Sequence, residues 1–247
     1  AYELFLRAQS LLLVRLRPEN LDARRMFRQA IAVDPAFARA YGGLALSFAA
    51  DFRNQWSSDG AAALQRAHAV ARTALEIDPE IPEVYWVLAY VSAQQRQHEH
   101  AVELLRKAVS LDHSFADAYA LMGGIKTYMG RPEETLPLVR TAMRLNPKAG
   151  YLYFLLLGRA YYLLDDWEQP LINLGEALER NPSNLEARIY LAATLAAAGS
   201  AEEAAWQRDE ILMLEQDFDA AKWLQTYPMS DGDQRGRLLR MLHELGL

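Results

Sequence analysis

Histidine, cysteine and paired acidic residues are the side chains best suited to chemistry, and here they form no recognisable set. The chain has five histidines and no cysteine, which excludes disulfides, thiolate nucleophiles and zinc held by cysteine. His98 and His100 are two residues apart, so on a helix they point away from each other and cannot share a metal. Asp231-Gly232-Asp233 lacks the further ligands of a calcium loop. Because no nucleophile is paired with a base either, we expect no enzyme activity, no cofactor and no metal site.

The overall composition is that of a globular, acidic protein. Of the 247 residues 51% are hydrophobic and 23% charged, and 26 basic against 32 acidic residues give a net charge of −6. Surfaces that bind nucleic acid normally carry a basic excess, so nucleic acid is not an expected partner. The longest apolar run, residues 151–157, is too short for a membrane span, and the chain begins with Ala1 rather than methionine. We therefore expect a piece of a longer protein that does not itself insert into a membrane.

A short phrase recurs along the chain, an acidic residue or asparagine followed by proline or a substitute, as in Asp78-Pro79 and Asn146-Pro147. The second position of the phrase falls at 35, 79, 113, 147, 182 and 216, so the spacings are 44, 34, 34, 35 and 34. A period of 34 residues is typical of tetratricopeptide (TPR) repeats, each of which is a helix–turn–helix unit. The pattern therefore predicts helix pairs along the whole chain.

The residues within each period resemble the tetratricopeptide family position by position. The repeat that ends at Pro182 has the family's aromatic residue, Leu-Gly pair and small, large and small residues in order: Phe154, Leu157, Gly158, Pro170, Leu174 and Ala177. Small residues let two helices approach closely, and the large residue fills the space between them. We interpret Gly42-Gly43 and Gly123-Gly124 as such packing positions and not as phosphate loops. The resemblance implies an all-α fold, a right-handed superhelix (α-solenoid) of about six helix pairs with a C-terminal capping helix pair.

The repeats are predicted to form one domain over residues 1–247. Their expected bounds are about 1–35, 36–79, 80–113, 114–147, 148–182 and 183–216, with a cap at 217–247. First helices are expected near 2–16, 37–50, 82–95, 115–129, 150–164 and 184–198, and second helices near 19–32, 61–76, 98–110, 132–145, 166–180 and 201–214. The second repeat is longer because residues 51–60 are inserted between its helices, where Trp56 either contacts a partner or holds its own loop on the repeat. The cap is interrupted at Tyr227-Pro228 and ends in a helix from Asp231 to Leu245 that covers the last repeat.

The two ends of the chain resemble a narrower group. Residues 1–7, 27–45 and 235–247 are similar to the C-terminal repeat arrays of bacterial class III adenylate and guanylate cyclases and of CadC- or HilA-type transcriptional regulators. The resemblance implies a regulatory or sensing module of a larger bacterial signalling or transcription regulator. A cytoplasmic location is expected, and the alternative is the periplasmic part of a membrane-anchored regulator. No cyclase or DNA-binding sequence lies within these residues.

In the tetratricopeptide family the first helices line a concave groove, where peptides or partner helices lie. Placing the family's groove positions on this chain predicts a partner-binding surface made of Trp86, Tyr90, Gln94, Tyr128, Arg159 and Tyr162. The lysine and asparagine with which chaperone-binding relatives hold a terminal carboxylate are missing, so chaperone C-termini are not expected ligands. Two interpretations of each aromatic ring stay open, namely packing between neighbouring helices and exposure in the groove.

The function predicted from these residues is a non-catalytic scaffold that binds a protein or peptide partner in the groove. Two alternatives remain: an aromatic pocket that senses a small ligand or peptide, and a module that forms a homodimer.

Overall fold

The computed structural model describes residues 1–14, 16–54 and 56–247; Arg15, in the first predicted helix, and Gln55, in the predicted insertion, lie outside the described residues. The described residues form fourteen α-helices and no strand, which confirms the predicted all-α class. The helices are α1 Tyr2–Val14, α2 Arg17–Val33, α3 Ala38–Arg53, α4 Gly60–Ile77, α5 Pro82–Gln94, α6 His98–Leu111, α7 Ala116–Tyr128, α8 Pro132–Leu145, α9 Tyr151–Leu163, α10 Glu168–Arg180, α11 Leu185–Ala197, α12 Ala201–Leu214, α13 Ala220–Thr226 and α14 Gly232–Glu244.

The chain divides into two compact units, an N-terminal unit Ala1–Phe115 and a C-terminal unit Ala116–Leu247. In each unit the helices pack in the same way. The two helices of a pair contact each other, the second helix contacts the first helix of the next pair, and neighbouring first helices contact each other. This is the packing expected of helix-pair repeats. The six repeat boundaries and the single domain over 1–247 stay a prediction.

Small residues bring the helices of a pair together, as the sequence pattern predicts. At Gly158 of α9 an added Cβ would lie 2.6 Å from Leu174 Cγ of α10, a distance that no side chain tolerates. Leu174 and Ala177, at the large and small positions of the second helix, are fully buried. The 34-residue period of the sequence therefore reflects helix packing, because each repeat needs a small residue where its two helices approach closely.

The first helices also end in a common way. The residues Arg96, Gly130, Asp165 and Gly199, which follow α5, α7, α9 and α11, all have positive φ between 60° and 83°. In each case the next N–H bonds the carbonyl five residues earlier, as Arg131 bonds Lys126 at 2.9 Å. This bond satisfies a carbonyl that the helix end would otherwise leave unpaired. The turn from first to second helix is thus the same in four repeats.

Three residues of the predicted insertion lengthen a helix. Residues 51–53 continue α3, and α4 begins at Gly60 with the Asp59 side chain accepting a hydrogen bond from the Ala62 N–H at 2.9 Å. Trp56 is half-buried, and its N–H bonds the Asp51 carbonyl at 2.9 Å. These contacts hold the connection against the end of α3, in line with the interpretation of Trp56 as part of its own loop.

The predicted cap helix is present as α14 and packs against α11. Leu238 and Leu242 are fully buried and join the same hydrophobic core as Ile189 and Tyr190 of α11. The segment between α13 and α14 takes a course that the sequence analysis did not predict, and this course defines the candidate site.

Candidate partner-binding site

The three predicted residues of the N-terminal unit lie on one face of α5. The rings of Trp86 and Tyr90 are stacked, with 5.6 Å between centroids and 3° between planes, and Phe52 of α3 meets Tyr90 edge-on at 6.3 Å. Trp86 is 6% exposed and Tyr90 7% exposed, whereas Gln94 is half-buried. These two aromatic side chains are therefore packed in the interior, which was one of the two interpretations left open.

The other three predicted residues belong to the C-terminal unit. Tyr128 ends α7 and is half-buried, and Arg159 and Tyr162 lie one turn apart in α9. Arg159 is 1% exposed and Tyr162 is 0% exposed. Four of the six predicted residues, Trp86, Tyr90, Arg159 and Tyr162, are therefore buried, which agrees with the packing interpretation, and their part in partner binding stays a prediction. In the C-terminal unit Arg159 is covered by a segment of the chain itself.

That covering segment is Tyr227–Ser230, which we call the groove segment. It follows α13 in an extended conformation, with φ −69° and ψ 131° at Tyr227, and has no helical residue. Tyr227, Pro228 and Met229 are buried, and Met229 is 0% exposed. The N–H and the hydroxyl of Ser230 both donate to the Tyr128 carbonyl at the end of α7, at 2.9 and 3.0 Å. A short extended peptide therefore lies on residues of the first helices.

Arg159 is the residue on which this arrangement converges. Its Nη1 donates to Glu186 Oε1 of α11 and to the Tyr227 hydroxyl, both at 2.9 Å. Its Nη2 donates to the Gly124 carbonyl of α7 at 3.1 Å, and its guanidinium lies 4.3 Å from the centre of the Tyr128 ring. One side chain thereby joins α7, α9, α11 and the groove segment. We use the name first-helix surface for five residues of these first helices: Gly124, Tyr128, Arg159, Glu186 and Tyr190.

The Tyr227 side chain is held by hydrogen bonds as well as by packing. Its hydroxyl donates to Glu186 Oε1 while it accepts from Arg159 and from the Tyr190 hydroxyl at 3.4 Å. Its ring meets Tyr128 edge-on at 5.5 Å. Burial raises the pKa of the Tyr227 hydroxyl well above its ordinary value, with Arg159 acting in the opposite direction. The hydroxyl is therefore a neutral donor at physiological pH, and its proton points to the one anionic partner, Glu186.

A second group of contacts holds α14 next to the groove segment. Arg237 of α14 forms an ion pair with Asp165, the positive-φ residue after α9. The Arg237 guanidinium also lies 5.4 Å from the centre of the Trp167 ring and 5.7 Å from that of Tyr162. Both charged side chains are partly exposed, so this pair contributes less to stability than the buried Arg159 pair.

Two of the five residues of the first-helix surface, Tyr128 and Arg159, belong to the predicted partner-binding surface, whereas the segment that lies on them was not predicted. Tyr128, Arg159 and Glu186 occupy groove positions of the repeats, whereas Tyr227 lies outside any repeat. The available signal was Tyr227-Pro228, which we interpreted only as the end of a helix. No periodicity connects residue 227 to residue 159, so nothing in the pattern indicated where this segment would lie.

The helices form an array of helix pairs, and in the C-terminal unit the groove segment lies on residues of the first helices. Residues 82–114 match the family model described as tetratricopeptide repeat. The chain therefore has the tetratricopeptide repeat fold, and solved structures of that fold agree. It resembles the APC/C hetero-tetramer Cut9-Hcn1 with a TM-score of 0.70 and 17% identity, over 97% of this chain and 45% of the other.

Two further structures are similar over most of both chains. A thermophilic TPR protein of Thermus thermophilus aligns with a TM-score of 0.59 and 16% identity, over 79% of this chain and 98% of that one. PilW, a type IV pilus biogenesis factor, aligns with a TM-score of 0.61 and 20% identity, over 84% of this chain and 90% of that one.

A sequence relative is found among bacterial signalling proteins. Over 101 residues the chain is 29% identical to "Putative adenylate cyclase 3" of Rhizobium meliloti (strain 1021). The match spans 41% of this chain and 17% of that protein. It agrees with the resemblance of the chain ends to the repeat arrays of nucleotidyl cyclases.

Two searches of the described residues gave no site of another kind. No described helix is both long enough and apolar enough for a membrane crossing. Within 1–14, 16–54 and 56–247, no three acidic or histidine side chains come together as a metal ion would require.

Proposed function

We propose that this chain is a non-catalytic module for protein–protein interaction, whose partner docks as a peptide on the first-helix surface of the C-terminal unit. The observation that carries the proposal is the groove segment. A surface that holds four residues of extended polypeptide by a backbone N–H, a tyrosine hydroxyl and a buried methionine has the chemistry needed to hold another peptide. Peptide binding of this kind combines hydrogen bonds to the main chain with pockets for individual side chains.

The finer assignment concerns the longer protein to which the chain belongs. We propose that the module is the regulatory or sensing part of a bacterial signalling or transcription regulator. The partial match to an adenylate cyclase supports this assignment, as does the resemblance of residues 1–7, 27–45 and 235–247 to such arrays. In that setting the module would recognise a partner, and the chemistry would lie in another part of the protein.

The six residues predicted from the sequence take different places in this proposal. Tyr128 and Arg159 form the floor of the proposed docking surface, and Tyr162 lies beside it under Arg237. Trp86, Tyr90 and Gln94 form a separate face of the N-terminal unit, where half-buried Gln94 is the residue most open to a partner. We propose that these three residues contribute to partner binding by the N-terminal unit. The substitution Gln94→Ala tests this proposal.

The test is a selection for peptides that bind the full chain. A display library of random twelve-residue peptides is panned on the immobilised protein, and each enriched peptide is measured by fluorescence anisotropy. We expect Glu186→Gln to weaken the enriched peptides about tenfold, since it removes a charged hydrogen-bond acceptor from the first-helix surface.

Glu179→Gln is the matched control, because Glu179 is exposed on α10 and contacts no residue of the first-helix surface in the described contacts. Absence of any enriched peptide, or peptides that bind both variants and the unchanged chain equally, contradicts the proposed docking surface. A mass that doubles with concentration, and falls on Glu186→Gln, would assign the surface to a second copy of this chain instead.

A further inference from the structure

Tyr227 occupies the first-helix surface in the way a bound ligand would. It comes from a chain position 68 residues from Arg159 and 41 from Glu186, yet its hydroxyl lies between these two charged groups. Its ring lies against Tyr128, and the next residues run extended to the Tyr128 carbonyl. The contacts are those of an anchor side chain followed by a short stretch of main chain.

We infer that the groove segment is an internal competitor, and that the partner presents an unphosphorylated tyrosine in an extended peptide that displaces Tyr227 from Arg159 and Glu186. This inference rests on the proposed function and adds the chemistry of the partner and the step that must precede its binding. Since both peptides need the same two charged groups, they cannot be bound together.

The two charges define the anchor. Arg159 donates to an oxygen and Glu186 accepts a hydrogen, so the group between them must do both, as a neutral hydroxyl does. Phenylalanine fills the same space but leaves both charged groups without this partner. Phosphotyrosine places a dianion next to the Glu186 carboxylate and has no proton to donate at the phosphate edge, so it is repelled. The surface therefore selects tyrosine over both.

The internal segment leaves hydrogen-bonding capacity unused. Among the described residues, the buried Nε of Arg159 and the buried hydroxyl of Tyr162 have no hydrogen-bond partner. A peptide that supplies an acceptor to either group gains a bond that the groove segment does not make. An external tyrosine peptide can therefore bind better than Tyr227 itself and displace it at equilibrium.

The way the segment is attached makes displacement local. Tyr227–Ser230 lies between α13 and α14, and the nearby attachment of α14 includes the partly exposed Arg237–Asp165 ion pair. Within the groove segment, Met229 is fully buried and belongs to the core of the C-terminal unit. A change at Met229 should release the segment without altering the first-helix surface.

The experiment uses the full chain and a labelled peptide of residues 225–231 added in trans. Binding is measured by fluorescence anisotropy for the unchanged chain, for Met229→Ser and for Met213→Ser, the same substitution at a residue of α12 that is 76% exposed. We expect Met229→Ser to bind the peptide at least about tenfold more tightly than the unchanged chain, because affinity rises with the fraction of open surface. Met213→Ser should bind like the unchanged chain.

The peptide is made in three forms to test the anchor. We expect tyrosine to bind about tenfold more tightly than phenylalanine, and phosphotyrosine to bind most weakly. If circular dichroism shows that Met229→Ser is unfolded, Arg237→Gln takes its place, with an expected gain of up to about fivefold. As a second measurement, a saturating peptide should speed amide hydrogen exchange at Ser230 in the unchanged chain.

Equal binding of the tyrosine and phenylalanine peptides, or equal binding to Met229→Ser and Met213→Ser, overturns the inference. Unchanged exchange at Ser230 under bound peptide does so as well. These failures differ from failure of the proposed function, because library peptides sensitive to Glu186→Gln would still establish the docking surface. In that case the surface binds peptides, but neither the tyrosine anchor nor the internal competitor is correct.

Discussion

Two buried arginines, one in each unit, show how similar chemistry serves different ends. Arg24 of α2 donates to Asp51 Oδ2 at 2.7 Å and to the Ser47 carbonyl at 2.9 Å, and it lies 4.4 Å from the centre of the Phe48 ring. Arg159 likewise combines a carboxylate, a main-chain carbonyl and an aromatic ring. Both thus compensate a buried guanidinium charge with the same three kinds of group.

The difference lies in where the partners come from. All the contacts of Arg24 just described are made to α3, no more than 27 residues away, so they form as soon as two neighbouring helices pack. Arg159 contacts α7 and α11 and also Tyr227, 68 residues away. The Arg24 contacts are therefore made between adjacent helices, whereas Arg159 has its contact with Tyr227 only when the groove segment is docked. A surface that needs a distant segment to complete it can also be completed by another molecule.

The largest expected effect is that of Arg159→Met. Removing the cation leaves the Glu186 carboxylate without its ion-pair partner and the Tyr227 hydroxyl without one of its two donors, which costs about 3–5 kcal/mol for a buried pair. Arg24→Met should destabilise folding to a similar extent, but only Arg159→Met should open the groove segment. Amide hydrogen exchange checks this: Ser230 should exchange faster in Arg159→Met and at its usual rate in Arg24→Met. Equal protection of Ser230 in the two variants would show that the segment does not depend on Arg159.

A smaller effect is expected for Tyr227→Phe. The ring and its packing remain, and the loss is that of a hydroxyl bonded to two charged groups, about 1.5–3 kcal/mol. Tyr85→Phe is the matched control in the N-terminal unit, since the Tyr85 hydroxyl donates only to the neutral Pro79 carbonyl, at 2.8 Å and near the surface. Urea unfolding followed by circular dichroism should rank Tyr227→Phe below Tyr85→Phe in stability. The reverse order would mean that the charged groups are satisfied without Tyr227.

The same contrast explains what the sequence could predict. The ends of α8 and α12 fall at 132–145 and 201–214, as expected, because the repeat places a capping turn and a proline or its substitute at fixed offsets. The groove positions of Tyr128 and Arg159 followed from the resemblance to the tetratricopeptide family. Their burial did not, because it depends on residues 227–230, which belong to no repeat. A periodic sequence predicts contacts between neighbours along the chain, and the docking of a distant segment is not such a contact.

The burial of Trp86 illustrates a second limit. The repeat places this residue on a first helix and says nothing about what lies over it. The spacing of Trp86 and Tyr90 permits stacking, but exposure in a groove is equally consistent with two rings that are four positions apart. In the structure both rings are buried, and Phe52 from the lengthened end of α3 meets Tyr90 edge-on.

The smallest effect concerns Tyr162, another buried tyrosine of the C-terminal unit. Burial raises the pKa of Tyr162 to about 12, while Arg237 lowers it and Asp165 raises it. Since the pKa in the unfolded chain is about 10, the folded state holds the proton more firmly between pH 10 and pH 12. The stabilisation is therefore complete below pH 10 and is lost as the pH rises through this window, the loss amounting to about 1.4 kcal/mol at pH 11.

Tyr162→Phe removes a hydroxyl that has no hydrogen-bond partner among the described residues, so it should leave stability at pH 7 unchanged or slightly higher. Unfolding in urea at pH 7 and pH 11 tests both statements. A loss of stability at pH 7 would show that this hydroxyl is bonded in the folded chain and that its role is closer to that of Tyr227. An equally steep decline towards pH 11 in Tyr162→Phe would show that the pKa of Tyr162 is not the source of that decline.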